Sequence, residues 1–186
     1  MQLEQHEERE LVRAAQQGDR EAFAQLYEAN AERVYRYLLG RVDEPTDAED
    51  ITAEVFIRAM RALPSYKPTR VPFVGWLFRI AHNEAVNHMK KQVRRGEMPL
   101  LDTIAANDDP ERQALNRIAY SETAQAMGAL TDLQREVLSL RFAGELSIAE
   151  TATAMNRSEE AVKFLQHSAL RAMRRILAQT GGKAHG

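Results

Sequence analysis

The chain of 186 residues carries 25 Lys/Arg against 27 Asp/Glu, a formal net charge of -2, with 44% hydrophobic residues and no cysteine. That composition fits one domain or two small ones and excludes wholesale disorder, disulfides, thiolate zinc sites and a generally basic DNA coat. No apolar run approaches the roughly 18 residues of a membrane span, and the start Met1-Gln-Leu-Glu-Gln-His6 lacks a signal peptide's basic and apolar segments, so an intracellular protein without membrane insertion is expected.

Charge is polarised along the chain. Residues 1–63 hold 14 acidic and 8 basic side chains, whereas residues 161–186 hold five Lys/Arg and no Asp or Glu. Apolar residues recur at helical spacing throughout, with no alternating strand run. Leu11, Ala14 and Ala15, then Phe23, Leu26 and Tyr27, predict two early helices broken near Gly18-Asp19, and Val34, Tyr35, Leu38 and Leu39 continue the core. Gly40 and Asp43-Glu-Pro-Thr46 interrupt it. Asp47 is expected to cap the next helix, whose apolar stripe is Ile51, Val55, Ala59 and Ala62 with Phe56 and Met60 on its flanks. Pro64 ends that helix, and Ser65 to Pro72 is a proline-held loop.

A further helix is predicted from Phe73 to Arg94. It brings Trp76, Arg79 and Asn83 together with the basic tail Lys90, Lys91, Arg94 and Arg95, a set that can stack on, hydrogen-bond to and electrostatically hold a nucleic acid. Residues 96–112 have a linker's composition. Beyond them Ala114, Ile118, Ala119, Ala126 and Leu130 open a second domain. Thr131-Asp-Leu-Gln134 is a capping box followed by Val137, Leu138 and Phe142, and Ser147-Ile-Ala-Glu150 is another, starting a short helix through Met155. Asn156-Arg157-Ser158 is a tight connection, and Ser158 caps a final helix carrying Val162, Leu165, Ala169 and Ile176. Short helix, turn and longer basic helix match a helix-turn-helix. The expected fold is all-α: two small helical domains, 1–95 and 113–180, joined by a flexible linker at 96–112.

Sites for bond chemistry are missing. There is no glycine-rich phosphate loop, no Gly-x-Ser-x-Gly and no His-Glu-x-x-His, so neither an enzyme nor a cofactor or metal site is expected. His82 and His88 are six residues apart and read as boundary residues. Glu49, Asp50 and Glu54 form an acidic helix face without basic partners at useful spacing.

Asp47-Ala-Glu-Asp-Ile-Thr-Ala-Glu-Val-Phe-Ile-Arg-Ala-Met-Arg-Ala-Leu63, followed by Phe73-x-x-Trp76-Leu77-x-x-Ile80-Ala81-x-Asn83, resembles the extracytoplasmic-function group of bacterial RNA polymerase sigma factors, in the sigma-70 family. Leu130 to Phe142, Leu146-Ser-Ile-Ala-Glu150 and Ala161-Val-Lys163 resemble the second domain of that group. The resemblance covers roughly residues 20–95 and 120–178. It implies a cytoplasmic transcription initiation factor that makes no bond itself. Its first domain would bind the clamp helices of the polymerase's largest subunit through the segment with Asp47, Asp50, Glu54 and Arg58, and would open and read the -10 element. Tyr66, Lys67 and Arg70 would shape a pocket for an unstacked base. Trp76, Arg79 and Asn83 would face the non-template strand, and Lys90, Lys91, Arg94 and Arg95 would grip phosphate.

The second domain would read the -35 duplex through Arg157, Ser158, Glu159, Lys163, Phe164, His167 and Arg171, and would contact the flap of the second-largest subunit. A cognate anti-sigma protein is a family expectation, and it could hold the factor near the membrane. The chain departs from the family pattern at Ala53 (often Gln), Asn87 (often Asp) and Glu160-Ala161 (usually Gly-Thr). It also departs at Leu165 and Ser168, where two arginines are common. Phe164 can meet a thymine methyl or pack against a neighbouring helix. A helix-turn-helix regulator that is not a sigma factor is the rival reading. It leaves the acidic helix and the Trp76–Asn83 helix unexplained.

Overall fold

The computed structural model describes residues 5–42, 44–68, 72–95 and 126–181. Arg70, the 96–112 segment, and Ala114, Ile118 and Ala119 lie outside them. The described residues form an all-α fold in two helical regions. The first comprises α1 (Gln5–Gln16), α2 (Arg20–Leu39), α3 (Pro45–Ala62) and α4 (Phe73–Arg95), with a 3-10 turn at Leu63–Ser65. The second comprises α5 (Asp132–Leu138), which widens into a π-type turn at Ser139–Ala143, then α6 (Ile148–Ala154) and α7 (Glu159–Gly181). No described helix is long and apolar enough to cross a membrane.

Local chemistry fixes the helix starts. Gly18, at φ +95°, supplies the left-handed step that ends the α1 turn. The Asp19 carboxylate then accepts from the amides of Glu21 (2.9 Å) and Ala22 (3.2 Å), capping α2. Both predicted capping boxes form, at Thr131 and at Ser147. The expected Asp47 cap does not. α3 starts three residues earlier than such a cap would place it, at Pro45, after Glu44 and without a side-chain cap. Proline's fixed φ suits the first helical position, where its missing N–H costs no hydrogen bond. Asp47 lies inside the first turn, 3.1 Å from His88 Nε2 and accepting from Gln92 Nε2 (3.3 Å), so it ties α3 to α4.

Leu26, Val34, Tyr37 and Leu38 of α2 meet Val55 and Ala59 of α3 and Leu77, Phe78, Ala81 and Ala85 of α4 in one core. Three expected core residues are exposed instead, the first being Tyr27 (45%), whose ring lies edge-on to Phe56 at 4.7 Å. Met60 is 53% exposed because the inward stripe of α3, Ala48, Ile51, Thr52, Val55, Phe56 and Ala59, has rotated past it at the helix end. Phe142 is 59% exposed. The π-type turn offsets the helical register there, and Leu140 takes the inward place.

Leu140, Leu146 and Ala154 of the second region are part of the first region's core. Met155 touches both that core and the second one, built on Leu130, Val137, Leu138, Ala152, Val162 and Ala169. The contact is close enough to require glycine. A Cβ on Gly144 would lie 2.7 Å from Phe78 Cε1 and 2.9 Å from the Leu140 carbonyl oxygen. Arg33 donates from Nε to the Gly144 carbonyl (3.1 Å) and from Nη2 to the Glu145 carbonyl (3.3 Å), and Arg36 Nη2 lies 2.8 Å from Glu145 Oε1.

At the centre of this junction the Glu136 carboxylate is buried, 2% exposed. Tyr37 donates its hydroxyl to Oε1 at 2.7 Å, His82 Nδ1 lies 2.9 Å from the same oxygen, and Arg41 Nε lies 2.9 Å from Oε2. The Arg41 approach is a charge contact whose N–H is not directed for a hydrogen bond, since Arg41 Nε and Glu136 Oε2 both lack an aligned partner. Burial alone would raise the Glu136 carboxyl. The His82 contact, the Arg41 charge and the Tyr37 hydroxyl outweigh it, leaving Glu136 below the ordinary carboxylate value. Burial, and then the Glu136 charge, push the Tyr37 phenol well above its usual range, so it stays a donor.

Candidate nucleic-acid and polymerase interfaces

α1 positions the start of α4. Glu8 Oε1, buried, accepts from the Phe73 amide at 3.0 Å, one of the donors a helix N-terminus leaves unpaired. Burial raises the Glu8 carboxyl despite that bond. Gln16 Nε2 donates to the Leu63 (2.9 Å) and Tyr66 (2.6 Å) carbonyls and so fixes the turn that leads into the helix.

With its start held, α4 presents Arg79, Asn83 and Asn87 as one exposed stripe at four-residue spacing, with Lys90, Lys91 and Arg94 exposed beyond it. The Arg95 side chain lies outside the described residues. Trp76 is half-buried. Its ring sits 4.7 Å from Tyr66 and 5.5 Å from Phe73, so the tryptophan packs in a three-ring cluster at the foot of the stripe. Lys67 is exposed beside it. The stripe combines amide and guanidinium groups able to read a base edge with a tail of point charges suited to phosphate.

On α3 the acidic face is not without basic partners, as the sequence had suggested. Glu54 Oε1 lies 2.7 Å from Arg58 Nε, and Arg58 Nη1 reaches Glu84 Oε1 of α4 at 3.1 Å. That network raises Arg58 above its ordinary value, first through the Glu54 hydrogen bond and then through the Glu84 charge. Asp50 stays exposed, while Asp47 is engaged by α4. Sequence reasoning missed the apolar part of this face. Ile57 (39%) and Met60 (53%) are exposed there, giving hydrocarbon beside carboxylate. The signal was available in their falling outside the buried stripe.

In the helix-turn-helix, Asn156 takes a left-handed φ of +52° between α6 and α7, a conformation asparagine tolerates better than most residues. Ser158 Oγ accepts from the Ala161 amide at 3.2 Å and caps α7. Arg157, Ser158, Glu159, Lys163, Phe164, His167 and Arg171 are all exposed. The residues standing where family arginines are common turn inward instead. Leu165 packs on the second core, and Ser168 Oγ accepts from Gln134 Nε2 at 3.1 Å. Among the described residues no group of His, Cys, Asp and Glu is arranged to hold a metal ion.

Residues 26–95 match the family model described as Sigma-70 region 2, and residues 126–175 match that of Sigma-70, region 4. The chain is 38% identical over 173 residues to the ECF RNA polymerase sigma factor BldN of Streptomyces coelicolor, covering 90% of this chain and 65% of that relative. Among solved structures, CnrH in complex with the cytosolic domain of CnrY aligns with a TM-score of 0.71 at 24% identity, over 93% of this chain and 98% of that one. The sigma factor RpoE in complex with the anti-sigma factor NepR, from Bartonella quintana, aligns at 0.68 and 18%, over 84% and 96%. At these identities the two structures speak for the fold.

Proposed function

The chain belongs to the extracytoplasmic-function group of sigma-70 RNA polymerase sigma factors, and on that basis we propose that it binds core RNA polymerase and directs it to promoters with particular -10 and -35 elements. The observation that carries the proposal is the pairing of two sigma-70 regions in order with exposed polar stripes on α4 and α7. The domains are assigned as 1–95 and 113–180 with a linker at 96–112. The factor acts without catalysis of its own, in the cytoplasm. The test is transcription by purified core polymerase on a promoter library with and without the chain. Promoter-specific initiation is expected only with it, and none from folded protein would overturn the proposal.

α3 is the polymerase-binding helix, with Asp50, Glu54 and Arg58 outward and Ile57 and Met60 adding apolar contact. Complementary charge there sets association rate and partner choice more than affinity. Glu54→Arg removes the carboxylate and places a like charge beside Arg58. Retention of the factor on immobilised core polymerase is expected to fall about tenfold. Undiminished retention would remove Glu54 from the interface.

α4 is the -10 reader, with Asn83 the base-reading residue, since its amide both donates and accepts. Asn83→Ala is expected to flatten the preference at one -10 position by about 1–3 kcal/mol while leaving the other positions unchanged. Initiation rates on promoters varied base by base measure this, and an unaltered profile would exclude Asn83 from readout. α7 reads the -35 element, with Lys163 and Arg171 on the backbone. Two similar structures are complexes with CnrY and with the anti-sigma factor NepR. A cognate anti-sigma protein is accordingly part of the proposal.

A further inference from the structure

α7 is rotationally fixed by the residues on its inner side. Val162 and Ala169 are fully buried, Gln166 Oε1 accepts from Arg141 Nε at 2.9 Å, and Ser168 is held by Gln134. The outward positions on this side are Glu160, Lys163, Phe164, His167 and Arg171, one stripe at three- and four-residue spacing. His167 Nε2 and Arg171 Nη2 lie 3.2 Å apart on it. Phe164 stands in the middle at 73% exposure, the most exposed large apolar side chain described. It does not pack against a neighbouring helix. An apolar ring near the start of a helix-turn-helix recognition helix, with Lys163 beside it and Arg171 two turns on, fits one feature of the major groove: the thymine C5-methyl.

Resting on the -35 reading above, we propose that Phe164 is a specificity residue that selects thymine at one -35 position by contact with its methyl group. Uracil offers the same hydrogen-bonding edge without that methyl, so it isolates the contact. The full chain selects duplexes from a randomised pool, and each thymine of the selected site is then replaced by uracil. Binding of the wild-type chain is expected to weaken about fourfold at a single position, the worth of burying one methyl-sized group. Phe164→Ala abolishes that difference, and Phe164→Leu keeps part of it. Its exposure means neither variant changes the thermal melt. Indifference to uracil at every position, or equal sensitivity in Phe164→Ala, overturns the assignment while specific binding persists. Failure to select any duplex sequence would instead overturn the -35 reading itself.

Discussion

Phe78→Ala is expected to lower the unfolding free energy by about 3–5 kcal/mol and the midpoint by about 10 °C. The ring is fully buried, meets Tyr37 edge-on at 5.6 Å between centroids, and has the Arg33 guanidinium 5.9 Å from its centre. Its edge also fills the space left by the absent Gly144 side chain. Removing the ring therefore opens a cavity lined by both regions, and Gly144 has no side chain with which to fill it. Phe78→Leu, which keeps most of the volume, should cost less than half as much. Urea denaturation of the three proteins measures the effect. A loss below about 1 kcal/mol for the alanine variant would mean that the junction relaxes freely.

Arg41→Met is the second large effect. It leaves the buried Glu136 carboxylate with His82 and Tyr37 but without its arginine, a change that costs about 3–5 kcal/mol when one member of a buried pair is removed. Adding Glu136→Leu to Arg41→Met is expected to recover most of the loss, because a buried pair can be replaced by hydrocarbon at little net cost. The pH dependence has a definite sign. Glu136 is held below its ordinary value of 4.5 in the folded protein, so its contribution is fully present above that pH. It is lost as pH falls through the depressed value. Arg41→Met lifts the folded value toward or beyond the ordinary one, and the acid-induced loss should shrink. Melting curves from pH 7 to pH 3 on both proteins decide it. Parallel curves would remove Arg41 as the cause.

Helix ends and faces were legible wherever one local rule governed them: the two capping boxes, the break near Gly18-Asp19 and the outward Arg79–Asn83 pair of α4. Asp47 misled because a residue of good capping chemistry followed a proline that starts helices on its own account. Phe142 misled because helical periodicity presumes a constant register, which the π-type turn breaks. The exposure of Phe164 excludes packing against a neighbouring helix, one of the two uses that spacing alone left open. The junction was not legible. Glu136 reads as one more acid on a charged helix, and its hydroxyl partner Tyr37 is 99 residues away. Nothing periodic links them.

Glu136 also makes the two regions matched parts rather than interchangeable modules. A second region from a relative with an apolar residue at this position would set hydrocarbon against Arg41, which is buried and has no other charged partner among the described residues. Hybrids that exchange promoter-reading regions between factors would then inherit a mismatch far from any DNA contact. Such a hybrid should be built with positions 37, 41, 82 and 136 moved as one unit.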